Sequence, residues 1–225
     1  TNSTYGLVNY LVGMISRDDY IMRYKELKAI AENTNNGVVM FQVDMDQIFL
    51  HLFQREYATV LDFTEKYRSL KGKRILDMLR VFFEGIAALN LCRSTREEKY
   101  RTIGHAAIDR MQWFASLSHW NFDNKVSLLK AELHYADGNH ALAVSEYEAA
   151  IKSAYHNKFL HEEALACELY GHYCTENEMM DEGSNQLKKA CQQYHEWCAL
   201  TKVDSLRITI DLVIQRRVFK PNSDP

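Results

Sequence analysis

Proline is nearly absent from this sequence of 225 residues. Its only two copies, Pro221 and Pro225, stand at the C-terminal end, so the first 220 residues contain none. Proline breaks helix interiors and is common in the loops of sheet proteins. Its absence therefore predicts a nearly all-helical chain whose helices are joined by short turns.

Cysteine is sparse and odd in number, and no Cys-x-x-Cys pair occurs. This argues against a disulfide framework and favours a reducing, cytoplasmic compartment. No charged-then-apolar leader and no apolar run of about 18 residues is present, so we expect neither secretion nor a membrane partner. The chain begins at Thr1 without methionine and ends in polar residues, which suggests a piece of a larger protein. The five cysteines are Cys92, Cys167, Cys174, Cys191 and Cys198.

Strong charge of either sign is also lacking. The net charge is −3, with 47% hydrophobic and 25% charged residues, which is ordinary for a globular protein. A basic cluster surrounds Gly72, but no aromatic side chains are interleaved with it, so we expect no nucleic-acid partner. Its members are Lys66, Arg68, Lys71, Lys73 and Arg74.

Two consecutive helix–turn–helix units are predicted over residues 124–198. Gly138 ends the first helix, and Ala143, Tyr147 and Ala150 follow it at small–aromatic–small spacing. Two helices of one hairpin approach closely only where side chains are small, and this spacing is typical of tetratricopeptide repeats. The corresponding alanine of the second unit follows Ala150 by 40 residues, which exceeds the standard period of about 34. The units are therefore tetratricopeptide-like, with longer helices.

Residues 1–217 are predicted to form one all-α domain, a right-handed solenoid of about eleven helices, with a polar tail at 218–225. In the second unit, Glu178 replaces an expected turn glycine and Gly183 is the small packing residue. The helices of the two clearest repeats are predicted at Asn124–Asp137, His140–His156, Phe159–Thr175 and Met179–Cys198.

Residues 113–206 resemble the tetratricopeptide-like helical region of large multidomain sensor histidine kinases and related AAA-type ATPases. The resemblance implies a regulatory scaffold and supplies no catalytic residues. No Gly-x-x-x-x-Gly-Lys-Ser/Thr loop occurs, in agreement with nucleotide chemistry lying elsewhere. The matching residues are Trp113, Asn121-Phe122-x-x-Lys125, Ala131-Glu132-Leu133, Gly138-Asn139, Tyr147-x-x-Ala150-Ile151, Phe159-Leu160-His161-Glu162-Glu163-Ala164-Leu165-Ala166-x-Glu168-Leu169 and Trp197-x-Ala199-x-x-Lys202-Val203.

Chemical sites are weakly indicated. Cys191, His195 and Cys198 share one helical face, and Cys167 and Cys174 lie on the preceding helix. Zinc ligands usually come as close pairs from a turn, so core packing of Cys167, Cys174 and Cys191 is the preferred interpretation. Glu168 and His172 stand at i and i+4 and are predicted to pair on a surface. We expect no metal, no cofactor and no enzymatic activity.

The first helix of each tetratricopeptide hairpin lines the concave face, and this predicts a groove for a protein or peptide segment. Its mixed acidic and aromatic character suits a partner with basic residues. Reversing the charge of Glu132 and Glu168 is expected to weaken docking without unfolding the domain. The groove residues are predicted to be Lys125, Leu128, Glu132, Tyr135, Leu165, Glu168, His172 and Thr175.

The sequence thus predicts a non-catalytic interaction or regulatory module of a large cytoplasmic signalling protein. It would dock a partner segment or hold neighbouring modules of its own chain. The alternative is a small-molecule sensor that binds an apolar ligand near Phe49, Phe53 and Phe82.

Overall fold

The computed structural model describes residues 2–68 and 75–219, and every regular element within these ranges is an α-helix. The predicted all-α class is confirmed. Among the helices described, none combines the length and apolar character needed to cross a membrane. The described helices are α1 (Asn2–Leu11), α2 (Arg17–Asn33), α3 (Gly37–Phe53), α4 (Tyr57–Glu65), α5 (Ile75–Thr95), α6 (Glu98–Leu117), α7 (His119–Ala136), α8 (His140–His156), α9 (Leu160–Glu176), α10 (Met180–Glu196) and α11 (Leu200–Phe219).

The observed helices differ from the predicted ones mainly at ends that the sequence predicts as loops, where the helix is longer. Helix α8 has its predicted bounds, whereas α7 begins at His119 rather than Asn124. Its first turn is held by aromatic contacts, since Trp120 stacks on Phe159 and Phe122 stacks on α6. At the C-terminus, α11 continues into the predicted tail, and residues 220–225 lie outside the described ranges. The turn predicted at Gly72 lies outside them as well.

Most turns between helices place one residue in the left-handed backbone region. In the α9–α10 turn this residue is Glu178, with a φ of 64°, and Gly138 is the corresponding residue between α7 and α8. The N–H of Met179 donates to the carbonyl of Cys174 at 2.9 Å, which caps the end of α9. The turn thus forms without the expected glycine. Non-glycine residues in this conformation are Asn35, Arg55, Arg96, Lys158, Glu178 and Cys198.

Helices adjacent in sequence contact one another throughout the described ranges. In addition, α3 contacts α5, α5 contacts α7, and α7 contacts α9, so the first helices of successive hairpins also meet. This order of contacts is consistent with a helical repeat.

Small residues bring the two helices of each C-terminal hairpin together, as predicted. Ala143, Tyr147 and Ala150 are buried on α8. In the next hairpin, Gly183 of α10 faces Gly171 of α9, and a Cβ placed on Gly183 would lie 3.1 Å from the Gly171 carbonyl oxygen. No larger side chain fits there without moving the helices apart.

The buried apolar residues form two clusters. One extends from α3 to α9, and the other joins α1, Tyr20 of α2 and the end of α3 to α9, α10 and α11. In this second cluster Leu7 and Leu11 of α1 are grouped with Val203 and Leu206 of α11. The first and last helices therefore contact each other, although they are far apart in sequence.

Candidate functional site

Most of the predicted groove residues are inside the protein. Lys125, Leu128, Glu132, Leu165 and Glu168 are buried, whereas the other three are half-buried. The expectation that all eight line an open surface is therefore wrong for these five, because the protein's own side chains cover them. Partner binding at this face stays a prediction.

The accessible region of this face is a cleft at the C-terminal ends of α7 and α9. It has a volume of about 690 Å³, and Arg93, Tyr135, His140 and Glu176 line it. The Tyr135 hydroxyl donates to the Glu176 carboxylate at 2.7 Å, and the Arg93 guanidinium lies 4.2 Å from the Tyr135 ring centre. Glu176, which is exposed, thus stands at the opening of the predicted groove.

Glu132 is held from three sides. Asn90 and Arg93 of α5 donate to its Oε2 at 2.9 and 3.2 Å, and the Tyr147 hydroxyl donates to its Oε1 at 2.5 Å. Burial raises the pKa of this carboxyl, and the neighbouring Arg93 and Tyr147 only partly offset that effect. Glu132 therefore joins α5, α7 and α8 inside the protein.

Glu168 is the buried glutamate of α9, one helical turn before the position that corresponds to Glu132, and its electrostatic result is the opposite. The Lys202 ammonium donates to its Oε1 at 2.6 Å, and the Tyr194 hydroxyl donates to its Oε2 at 3.0 Å. Burial by itself raises the pKa of Glu168, but Lys202 and His172 overcome it and lower the pKa to about 2. His172 lies 3.8 Å away, so the predicted Glu168–His172 pair forms, although in the interior rather than on a surface.

A segment from the N-terminal half of the chain, the α3–α4 turn (residues 53–57), lies against these groups. The Lys202 ammonium also donates to the Phe53 carbonyl, and the Phe53 ring packs edge-on against Trp197 with centroids 6.0 Å apart. The Arg55 guanidinium forms an ion pair with Glu176 at 3.6 Å. The turn is thus bound by a main-chain contact, an aromatic contact and a charge contact.

The α3–α4 turn fits its surroundings incompletely. Within the described ranges, Gln54 Oε1, Arg55 Nη1 and the Tyr57 hydroxyl are buried without a hydrogen-bond partner. An open pocket of about 310 Å³ lies beside the turn, and Phe53 and Lys202 are among the residues that line it. Buried polar groups without partners destabilise a packed interface.

The aromatic residues predicted to bind an apolar ligand instead pack on other rings. Phe49 lies 4.3 Å from Phe53 and 5.7 Å from Phe83 between ring centroids, and Phe82 is buried. The open pocket of about 310 Å³ lies on the side of Phe53 that faces α1 and α11. Side chains therefore fill the space between these rings, where the apolar ligand was predicted to bind.

The cysteines do not converge on a metal site. Cys167 and Cys174 are buried, Cys191 is half-buried, and Cys198 is exposed in a turn. Core packing is confirmed for the first two. Among the residues that the structure describes, no three His, Cys, Asp or Glu side chains could hold a metal ion together.

Sequence reasoning found the two buried glutamates but missed the groups that hold them and the segment that covers them. Asn90 and Arg93 lie about 40 positions before Glu132, and Lys202 lies 34 after Glu168. The signal available was an acidic residue between apolar neighbours, in Ala131-Glu132-Leu133 and in Cys167-Glu168-Leu169, because a buried carboxylate requires a donor.

Models of known protein families, curated proteins and solved structures were compared with the chain, and none of them matches it. The similarity to the helical region of sensor kinases and AAA-type ATPases therefore stays an expectation from its own residues.

Proposed function

We propose that this chain is a non-catalytic interaction module, built as a right-handed solenoid of helical hairpins, that docks a protein segment on the face formed by α7 and α9. The contacts between successive first helices support the solenoid arrangement. The cleft at Tyr135 and Glu176 supports an accessible docking site on that face.

One observation carries this proposal: beside the cleft, the end of α9 together with Trp197 and Lys202 already binds a segment of the same chain. The α3–α4 turn is recognised through the carbonyl of Phe53, its ring and the guanidinium of Arg55. These are the contacts that peptide-binding grooves use, where main-chain and anchor contacts combine. Each buried glutamate is held by several donors, which suits a structural role better than proton transfer.

The biological setting belongs to the same proposal. A helical module of this kind suits a large cytoplasmic signalling protein in which it binds a partner protein or neighbouring modules of its own chain. The resemblance of residues 113–206 to sensor kinases and AAA-type ATPases favours that setting.

A direct test requires exposed residues, because charge reversal at Glu132 or Glu168 is now expected to unfold the protein rather than to spare it. Each of these glutamates is buried against a cation, and a lysine there would leave two like charges without water. Glu176 at the cleft is exposed, and Glu148 on α8 is an exposed glutamate that offers a matched control.

The experiment compares three baits in a pull-down from the source cells: the unchanged chain, Glu176→Lys and Glu148→Lys. Circular dichroism melts first establish that all three are folded. We expect partners that bind the unchanged chain and Glu148→Lys but are lost from Glu176→Lys. Equal recoveries from the three folded baits would contradict docking at this cleft.

A further inference from the structure

We propose that the α3–α4 turn occupies, in place of a partner, the part of the docking surface that lies beside the open cleft and is formed by Glu176, Trp197 and Lys202, and that the partner is a protein segment carrying an aromatic residue followed two positions later by an arginine. This inference rests on the proposed function and adds to it the regulation of the site and the chemistry of its ligand. The pattern is that of Phe53 and Arg55 themselves.

The charges around the turn favour an arginine in the occupant. Three carboxylates face this region, those of Glu132, Glu168 and Glu176, and the cations that pair with them from the first helices and α11 are Arg93 and Lys202. Without the turn, Lys202 pairs with Glu168. Arg93 alone then pairs with both Glu132 and Glu176. Arg55 supplies a second cation for Glu176, and a partner arginine would do the same.

The aromatic position of the occupant is equally defined. The Phe53 ring lies edge-on to Tyr194 and to Trp197, with centroids 5.4 and 6.0 Å away. Lys202 adds a donor for the main-chain carbonyl of the same residue. An aromatic residue anchored in such a corner is the usual centre of a peptide interface.

The turn is a poor enough fit to be displaced. Three of its polar atoms are buried without hydrogen-bond partners in the described ranges, on Gln54, Arg55 and Tyr57. An open pocket of about 310 Å³ adjoins it and gives a longer segment room to bind. A partner segment that satisfied these atoms would compete with the turn, because the turn stabilises the closed arrangement less than a complete interface would.

The boundary that has to open is also short of polar contacts. The main hydrogen bonds across it are those of Lys202 to Phe53 and of the Thr201 hydroxyl to the Leu11 carbonyl, the latter at 3.4 Å. The Arg55–Glu176 ion pair, the ring contacts of Phe53 with Tyr194 and Trp197, and the apolar contacts of α1 with α11 supply the rest. Few hydrogen bonds therefore have to break when this boundary opens.

The left-handed turn position supplies a matched pair of variants. Arg55 and Lys158 occupy it with φ of 59° and 63°, so glycine suits both backbones. Only Arg55→Gly removes the ion pair with Glu176, whereas Lys158→Gly changes the remote α8–α9 turn. Phe53→Ala is a stronger opening variant, and Arg55→Gly carries the test if Phe53→Ala fails to fold.

The probe is a fluorescent peptide that copies residues 50–58, with an Arg55→Glu version of the peptide as its control. We expect the peptide to bind Arg55→Gly about threefold more tightly than the unchanged chain, because loss of a half-exposed ion pair frees the site to that extent. For Phe53→Ala the expected gain is about tenfold or more. Lys158→Gly should bind like the unchanged chain, and the control peptide should bind none of them.

Opening is observed independently by 19F NMR after 5-fluorotryptophan labelling of the three tryptophans. Trp197 contacts the turn, whereas Trp113 and Trp120 lie on α6 and α7 and serve as internal references. In Arg55→Gly the Trp197 signal should shift toward its position in the peptide-bound protein. An unchanged Trp197 signal, equal peptide affinity for Arg55→Gly and Lys158→Gly, or no peptide binding at all overturns the proposal.

The experiments distinguish failure of the docking proposal from failure of the proposal that the α3–α4 turn occupies the site. If Glu176→Lys loses its partners while the peptide binds all variants alike, docking stands and self-occupation is wrong. If the three pull-down baits recover the same proteins, docking itself is wrong, whatever the peptide does.

Discussion

The ammonium of Lys202 on α11 donates a hydrogen bond to the main-chain carbonyl of Phe53 at the end of α3, 149 residues earlier. The same ammonium neutralises Glu168 on α9. One buried cation therefore joins the first half of the chain to two helices of the second.

The two buried glutamates should respond to pH in opposite directions. Glu168 has a pKa of about 2 in the folded protein against an ordinary value of 4.5, so its contribution is present above pH 4.5 and is lost as the pH falls toward 2. That difference corresponds to about 3 kcal/mol. The pKa of Glu132 is raised, so its contribution is present below pH 4.5 and is lost as the pH rises through the folded value.

Urea unfolding at pH 7 and at pH 3.5 measures this contrast. Glu168→Gln should destabilise the protein by about 3 kcal/mol at pH 7 and by about 1–1.5 kcal/mol less at pH 3.5, where only the unfolded state has begun to bind the proton. Glu132→Gln should cost less than Glu168→Gln at pH 7. Equal losses for the two variants at both pH values would contradict the assignment.

The close approach of α9 and α10 should tolerate no added methyl group. A Cβ at Gly183 would lie 2.5 Å from the Thr175 methyl carbon and 3.1 Å from the Gly171 carbonyl oxygen. Gly183→Ala is therefore expected to lower the free energy of unfolding by about 1–3 kcal/mol. Gly37→Ala is the control, since nothing lies within 4 Å of its Cβ position. Thermal denaturation of both variants makes the comparison, and equal melting temperatures would show that the helices separate freely.

The α9–α10 turn should be stabilised by the glycine that its sequence lacks. Glu178 has a left-handed backbone with a φ of 64°, a conformation that costs a residue with a Cβ about 1 kcal/mol. Glu178→Gly should therefore raise the melting temperature. Gly138→Ala, with a φ of 74° at the matching position, should lower it. A lower melting temperature for Glu178→Gly would mean that its side-chain interactions outweigh the backbone strain.

The thiols should react in the order of their exposure. Burial raises the pKa of Cys167 and of Cys174 to about 12, so neither forms a thiolate near neutral pH. Cys198 is exposed and should react first with a thiol reagent such as DTNB, ahead of half-buried Cys191. Cys198→Ser should abolish the fast phase. Rapid reaction of either buried cysteine in the native protein would contradict its position in the core.

The hairpins were predictable because their determinants are local. The small–aromatic–small spacing and the turn residues lie within a few helical turns of one another, and both ends of α8 agree with the prediction. The start of α7 and the end of α10 differ from the prediction for reasons that the sequence does not display. Trp120 stacks on Phe159 at the start of α7, and Cys198 has a left-handed backbone in the turn after α10.

The candidate site was predictable only in part, because some of its contacts join residues far apart in the sequence. The pattern placed Glu132 and Glu168 on one face, but their exposure depends on what covers that face. The cover is the α3–α4 turn, held by Lys202 from the other half of the chain. No local pattern encodes that pairing, since it joins residues 149 positions apart in the sequence.

The contact between α1 and α11 has a consequence for synthesis of the chain. Neighbouring hairpins can form as they leave the ribosome, because their partners are close in sequence. Leu7 and Leu11 can pack on α2 and α3 early, but the second apolar cluster is complete only when α11 has been made, about 190 residues later. During that interval the side of α1 that later meets α11 is uncovered, and this is when a chaperone would bind it.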